Sequence, residues 1–303
     1  MAKQLGYPCT DVIPLTQDAS ARKYFRLILK PSKESLAEAF LESETVPSET
    51  AIFCYLNPKL GSHKNFIHVC NHIDIGPKIL AYDLELGVTI QTDVGQCNYL
   101  DAKLEWIERY FNLSITGQTG EEGPGEFLGE YEFDAFKCSP LFSYEGNRLL
   151  REFINSKIPK LKKISDRKLV SQMQMFQKIF LKKFLGFKIK NKEIIKEIDA
   201  LQKETLKELK KQKWVNCHTD FEHRNIMVSI CDELSLNCTL IDFQDTCIGP
   251  EGIDLAGLKV AHHRRYAFNH SAKPETVEKI RWGGIQRNMR ILGTLANLYL
   301  EQN

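Results

Sequence analysis

The sequence predicts an α+β protein in which a small, mainly antiparallel sheet is followed by a mainly helical region. Short β-like runs, "KYFRLIL", "AIFCYL" and "LGVTIQT", crowd the first hundred residues, separated by polar or Pro/Gly-containing stretches such as "KPSKES" and "NPKLGSH". From "NYLDAKLEWIERYF" onward the spacing turns helical, since Leu100, Leu104, Ile107 and Phe111 recur every three or four residues. After Trp214 two short strand patterns return, "NIMVSI" and "CTLI", joined by the polar turn "CDELSLN".

Each element has its own warrant. The 303 residues, 43% hydrophobic and 26% charged, allow a sizeable core and one large or two intimate domains. The N-terminus "MAKQLGYPCTDVIPLTQ" lacks the basic start and apolar core of a signal peptide, and no stretch reaches the roughly 20 apolar residues of a membrane span, so a cytoplasmic location is expected. Lys+Arg of 41 against Asp+Glu of 39 leaves a net charge of +2, which argues against nucleic acid or an anionic membrane as partner. The chain's 9 cysteines form no CxxC pair and read as reduced, mostly buried thiols. "HVCNH" (His68, Cys70, His72) has no second ligand pair elsewhere, and the doublet His262-His263 points its rings in different directions, so neither reads as a zinc site.

The run "SITGQTGEEGPGEFLGEY" is rich in Gly and Glu and reads as a surface loop, part of an insertion at 114–137. Helical periodicity resumes in "RLLREFINSKIPKL" and continues to about residue 213, with Ile194, Ile198, Leu201 and Leu209 marking the buried stripe of a lysine-rich helix.

The chemistry concentrates at "NCHTDFEHRNIMVS". If "NIMVSI" and "CTLI" pair as an antiparallel hairpin, the start of one strand lies beside the end of the other. Asn225 sits at that start, Asp242 lies just past that end, and Asp220 hangs from the loop upstream. Two acids and an amide suit a hard, oxygen-loving cation such as Mg²⁺, held by Asn225 and Asp242. Asp220 is then left to accept a proton from an attacking hydroxyl, a division of labour that protein kinases also use, with the same Asp-to-Asn spacing.

With those residues in place, "CHTDFEHRNIMV…LIDFQDTCIGPEGIDLAGL" resembles the catalytic segment of the aminoglycoside phosphotransferase and choline kinase superfamily, His-x-Asp-x4-Asn followed by Ile-Asp-Phe-x-Asp and Asp-Leu-Ala. The resemblance implies that His218 braces the catalytic loop, Asp220 is the base, Asn225 and Asp242 hold Mg²⁺, and Asp254 caps the following helix. Four further segments, "DASARKYFRL", "TDVGQCNYL", "SPLF…LLREF" and "FQDTCIGPEGIDLAGL", are similar in the same order to bacterial anomeric kinases of N-acetylmuramate and N-acetylglucosamine. That likeness implies a bilobal protein-kinase-like fold with ATP between the lobes and a hinge near Thr92 to Gly95. It divides the chain into a nucleotide-binding lobe, 1–96, and a helical lobe, 97–303, carrying the catalytic loop and the acceptor site. It also implies a cell-wall sugar as acceptor.

In "DASARKYFRL" the turn formers Asp18 and Ser20 precede a strand whose period puts Ser20, Arg22, Tyr24 and Arg26 on one face. Turn amides, the Ser20 hydroxyl and the Arg22 charge there suit phosphate oxygens, and the nucleotide contacts are expected at Ser20, Arg22, Thr92, Asp93, Asn225 and Asp242. The superfamily's third-strand lysine is missing, because "AIFCYLNPK" puts Cys54, Tyr55 and Leu56 there; Arg22, Arg26, Lys59 or the metal must supply its charge. Arg264 and Arg265 in the basic stretch "KVAHHRRYAF" suit a carboxylated acceptor. The expected activity is an ATP- and Mg²⁺-dependent sugar kinase. The alternatives are another small-molecule kinase, acting on an aminoglycoside, choline or another alcohol, and a nucleotide-binding pseudokinase.

Overall fold

The computed structural model describes residues 1–15, 21–30, 50–102, 140–187, 192–232, 235–259 and 273–302. They form two compact units, Met1–Val94 and Gly95–Asn303. The expected helix through Leu104, Ile107 and Phe111, the Gly/Glu-rich insertion, Ser20, His262, His263, Arg264 and Arg265 lie outside the described residues.

The first unit is an antiparallel sheet of β1 (Cys9–Pro14), β2 (Lys23–Leu29), β3 (Thr50–Tyr55), β4 (Ile79–Asp83) and β5 (Val88–Thr92), in the order β1-β2-β3-β5-β4. The expected strands are β2, β3 and β5; the sequence reading did not contain β1 and β4, which are the two edges. Strand alternation gives the sheet two different faces. Leu27, Ala51 and Ile90 pack on one side with Phe53 and with Leu5 and Tyr7 from the chain's beginning. The other side carries Tyr24, Cys54 and Gln91, which meet His63 and Phe66 at helix α1 (Lys64–Cys70).

The second unit holds helices α2 (Pro140–Asn155), α3 (Asp166–Met175), α4 (Lys192–Lys211), α5 (Gly252–Lys259) and α6 (Pro274–Gln302). Two small antiparallel ladders sit among them: β6 (Trp214–Cys217) with β9 (Cys247–Pro250), and β7 (Ile226–Asp232) with β8 (Ser235–Leu240). Its core joins Ile164, Leu169, Leu209, Cys217 and Ile253, so α3, α4, β6 and α5 share one apolar centre. Ser165 starts α3 by accepting the Lys168 amide proton at 3.1 Å, an ordinary N-cap.

Two helical expectations need correction. The helix that includes "RLLREF" stops at Asn155, and a loop precedes α3. Helix α3 then continues as a π-helical segment, Phe176–Phe184, along which Phe176, Phe180 and Phe184 stack at 5.6 and 5.9 Å. In α4 the expected stripe is buried only at its end: Leu209 is buried as expected, but Ile194 is 46% and Leu201 39% exposed, and Gln202 and Thr205 are buried instead. The packing surface covers only the C-terminal half of α4, along a line turned one residue from the apolar stripe. The described cysteines are free thiols; burial pushes Cys70 and Cys238 up to about 12, so they behave as small apolar side chains. Among the described residues no helix is long and apolar enough to cross a membrane.

Candidate active site

The loop between β6 and β7 is held in place by buried groups before any of its exposed side chains matter. Asp254, 1% exposed in the first turn of α5, accepts the amide protons of His218 at 2.6 Å and Thr219 at 2.9 Å. The expected helix cap is therefore a loop brace: the carboxylate is spent on amides from another segment. Burial raises the Asp254 pKa and the two amide bonds oppose that rise. Thr219 takes a positive φ of 70°, a strained conformation for a β-branched residue, maintained by these bonds.

His218 is fully buried among Phe153, Phe221 and Phe243, with ring centroids at 5.8, 6.0 and 5.3 Å. Its Nε2 donates to the Ile241 carbonyl at 2.8 Å, which fixes the tautomer and ties the loop to the residue before Asp242. His218 thus positions; it has no surface with which to touch a substrate.

The hairpin has the expected register. Ile226 opposes Leu240, and the Ile241 amide donates to the Asn225 carbonyl at 2.9 Å, which brings Asp242 back to the start of β7. Asp242 sits at φ 73°, ψ 47°, the left-handed region, where the chain turns sharply out of the strand. Asn225 Nδ2 donates to the Asp220 carbonyl at 2.9 Å and lies 3.4 Å from Asp220 Oδ2. With its nitrogen engaged, Asn225 keeps its carbonyl oxygen as an acceptor, and with the Asp242 carboxylate it makes a hard, all-oxygen donor set that fits Mg²⁺. Among the described residues no group of three or more His, Cys, Asp or Glu side chains could hold a metal ion.

The structure adds residues that the sequence reading did not contain. Arg290 Nη2 donates to Asp220 Oδ1 at 2.9 Å and to the Thr219 carbonyl at 3.0 Å. Arg287 Nη2 donates to Glu222 Oε2 at 2.6 Å and approaches Asp220 Oδ1 at 3.4 Å. Arg224 reaches the other Glu222 oxygen at 2.7 Å, and His223 Nε2 bonds the Leu258 carbonyl at 3.0 Å. Both arginines beside Asp220 come from α6, whose approach is set by glycine: a Cβ on Gly283 would stand 1.9 Å from the Gly252 carbonyl oxygen. Arg287 and Arg290 follow Gly283 one and two turns later, on the same face. The spacing Gly-x3-Arg-x2-Arg in "GGIQRNMR" was the available signal.

In the first unit, Arg22, Tyr24, Cys54, His63, Phe66 and Gln91 line one small pocket, so Arg22 stands beside Cys54. Arg26 instead forms a buried two-point ion pair with Asp93, Nε to Oδ2 at 2.5 Å and Nη2 to Oδ1 at 3.1 Å. Thr92 Oγ1 accepts the Lys78 amide proton at 3.0 Å, and Lys59 is exposed beyond the strand end. His63 is buried against the Gly87 carbonyl at 3.1 Å, and its pKa is lowered by burial, with Arg22 adding to the effect.

Comparison with known proteins agrees with this geometry. Residues 180–278 match the Phosphotransferase enzyme family, a span that contains the whole loop between β6 and β7 and the β7–β8 hairpin. No curated protein sequence matches the chain. The fold is similar to that of the choline kinase LicA from Streptococcus pneumoniae, at 10% identity with a TM-score of 0.51, covering 99% of this chain and 88% of that one. It is also similar to a choline/ethanolamine kinase family protein from Mesorhizobium loti, at 12% identity with a TM-score of 0.50, covering 100% and 82%. The fold is therefore kinase-like and α+β.

Proposed function

We propose that the chain is an ATP- and Mg²⁺-dependent kinase that phosphorylates the anomeric hydroxyl of an N-acetylated amino sugar, N-acetylmuramate or N-acetylglucosamine, in cytoplasmic recycling of cell-wall sugars. The supporting observation is the junction of Asp220, Asn225 and the strand that returns Asp242. Residues 1–96 act as the nucleotide-binding lobe, with Arg22 in place of the lysine, and 97–303 carry catalysis and acceptor binding.

Asp220 is 34% exposed, and its Oδ1 is occupied by Arg290. Oδ2 has only the 3.4 Å contact to Asn225 among the described residues, so it is the oxygen that takes the proton from the acceptor hydroxyl. As that proton leaves, the hydroxyl oxygen bonds to the γ-phosphorus and the bond to the leaving ADP oxygen breaks. Asn225 and Asp242 would hold Mg²⁺, which supplies charge neutralisation for the phosphates when bound. An anomeric hydroxyl is more acidic than an ordinary alcohol, so a carboxylate suffices as base.

The test is direct. Incubated with ATP, Mg²⁺ and, separately, N-acetylmuramate, N-acetylglucosamine, choline and an aminoglycoside, the protein should give an anomeric phosphate signal by ³¹P NMR with a sugar. A phosphate ester on choline or the aminoglycoside moves the assignment to another small-molecule kinase. ATP consumption that no acceptor stimulates leaves a nucleotide-binding pseudokinase.

A further inference from the structure

We infer that Arg290 makes the acceptor site selective for a negatively charged acceptor, one whose carboxylate lies a few bonds from the hydroxyl that is phosphorylated. This builds on the proposal that Asp220 is the base. Neutralising the loop's acids does not require Arg290. Glu222, 3% exposed, already has Arg287 on one oxygen and Arg224 on the other, and Arg287 also reaches Asp220. Arg287 is a buried structural cation: its side chain is 3% exposed, and its Nε has no hydrogen-bond partner.

Arg290 differs in what it leaves open. Only its Nη2 is engaged, by Asp220 and the Thr219 carbonyl; its Nη1 and Nε make no hydrogen bond among the described residues. Its side chain is 19% exposed beside the 34% exposed Asp220. Both two-point edges of a guanidinium use Nη2, whose hydrogens are here taken by Asp220 and Thr219, so Nη1 and Nε remain as separate donors, each able to give a carboxylate oxygen one charge-assisted hydrogen bond. Those donors are carried on α6, which the Gly283–Gly252 contact fixes against α5, so they are placed before the acceptor arrives. A carboxylate docked there would set its own hydroxyl within reach of Asp220. A quaternary ammonium acceptor would meet a cation at the same spot and be disfavoured.

Steady-state kinetics with Mg²⁺ and ATP on acceptor pairs that differ in a carboxylate tests this: N-acetylmuramate with N-acetylglucosamine, glucuronate with glucose, and glycerate with glycerol, with choline as the cationic comparison. The wild-type protein should prefer the charged member of a pair by about 10- to 100-fold in kcat/KM. Arg290→Gln should erase that ratio, whatever it does to both members through Asp220, and Arg290→Lys should keep part of it. A wild-type preference for neutral or cationic acceptors overturns the inference, as does an Arg290→Gln variant that lowers both members of a pair equally. If neither amino sugar is used but another carboxylated acceptor is, with the Arg290-dependent ratio, the sugar proposal fails and the anion selectivity stands. If no carboxylated acceptor is phosphorylated, the anion selectivity is overturned.

Discussion

The two units carry their charges in different ways. In the second unit the loop bearing Asp220 is fixed by groups far away in sequence: Asp254 on its amides, Ile241 on His218, and Arg287 and Arg290 on its carboxylates. In the first unit Arg26 is committed to Asp93, and Arg22 lines a small pocket in which the buried Gln91 Oε1 has no hydrogen-bond partner. The contrast teaches that the Asp220 loop is ordered by partners from several segments, which suits the proton transfer proposed there, while Arg22 stands beside Cys54 and Gln91 in a pocket on the sheet. Positioning errors are costly at a reacting atom, whereas a charge acting on phosphates tolerates an ångström of movement.

The sharpest way to break that comparison is Asp220→Asn. It should lower kcat by about 10²- to 10⁴-fold while ATP binding, followed by calorimetry, persists; undiminished turnover would remove Asp220 from the mechanism.

Next in size is Gly283→Ala, whose Cβ meets the Gly252 carbonyl. It should cost about 1–3 kcal/mol in urea unfolding and reduce activity further by shifting Arg287 and Arg290. Gly284→Ala has nothing nearer than 3.8 Å and should be neutral or stabilising by up to about 1 kcal/mol. Equal effects from the two substitutions would show that the helix crossing is not what places the arginines.

Arg22→Gln probes the first unit. It should raise the KM for ATP by about tenfold, corresponding to one charge-assisted contact, with kcat little altered. A fall in kcat alone would mean that Arg22 acts on the transition state rather than on bound nucleotide.

The smallest effect expected is a pH dependence from His63. Its folded pKa is below the ordinary 6.5, so between those values the unfolded chain binds a proton that the folded chain does not. Its contribution to stability is complete above pH 6.5 and declines as pH falls toward the folded value. Urea midpoints measured from pH 7.5 to 5.5 should drop less in His63→Gln than in the wild type; parallel curves would exclude His63 as the source.

The candidate motif was legible because its pieces are local. His218, Asp220 and Asn225 share one loop, and the strand–turn–strand pattern that follows fixes a register, so Asp242 could be returned to Asn225 on paper. Strands β2, β3 and β5 were legible for the same reason, as continuous runs of β-forming residues. The edges β1 and β4 were not, because "CTDVIP" and "ILAYD" become strands chiefly by pairing with neighbours that local pattern does not identify. The α4 stripe failed for a related reason: amphipathicity shows which face is apolar, and whether anything covers it depends on the partner. Ile194 and Leu201 are apolar and exposed.

By itself the sequence determined strands β2, β3 and β5, the β7–β8 hairpin and the return of Asp242 to Asn225, since each is set by backbone periodicity and short-range spacing. Only the tertiary structure decided that Asp254 serves the loop rather than its own helix, that Arg26 is paired and Arg22 stands beside Cys54, and that two arginines from the last helix meet Asp220. Those choices depend on side chains converging from distant segments, where glycine contacts and buried charge pairing select the partner.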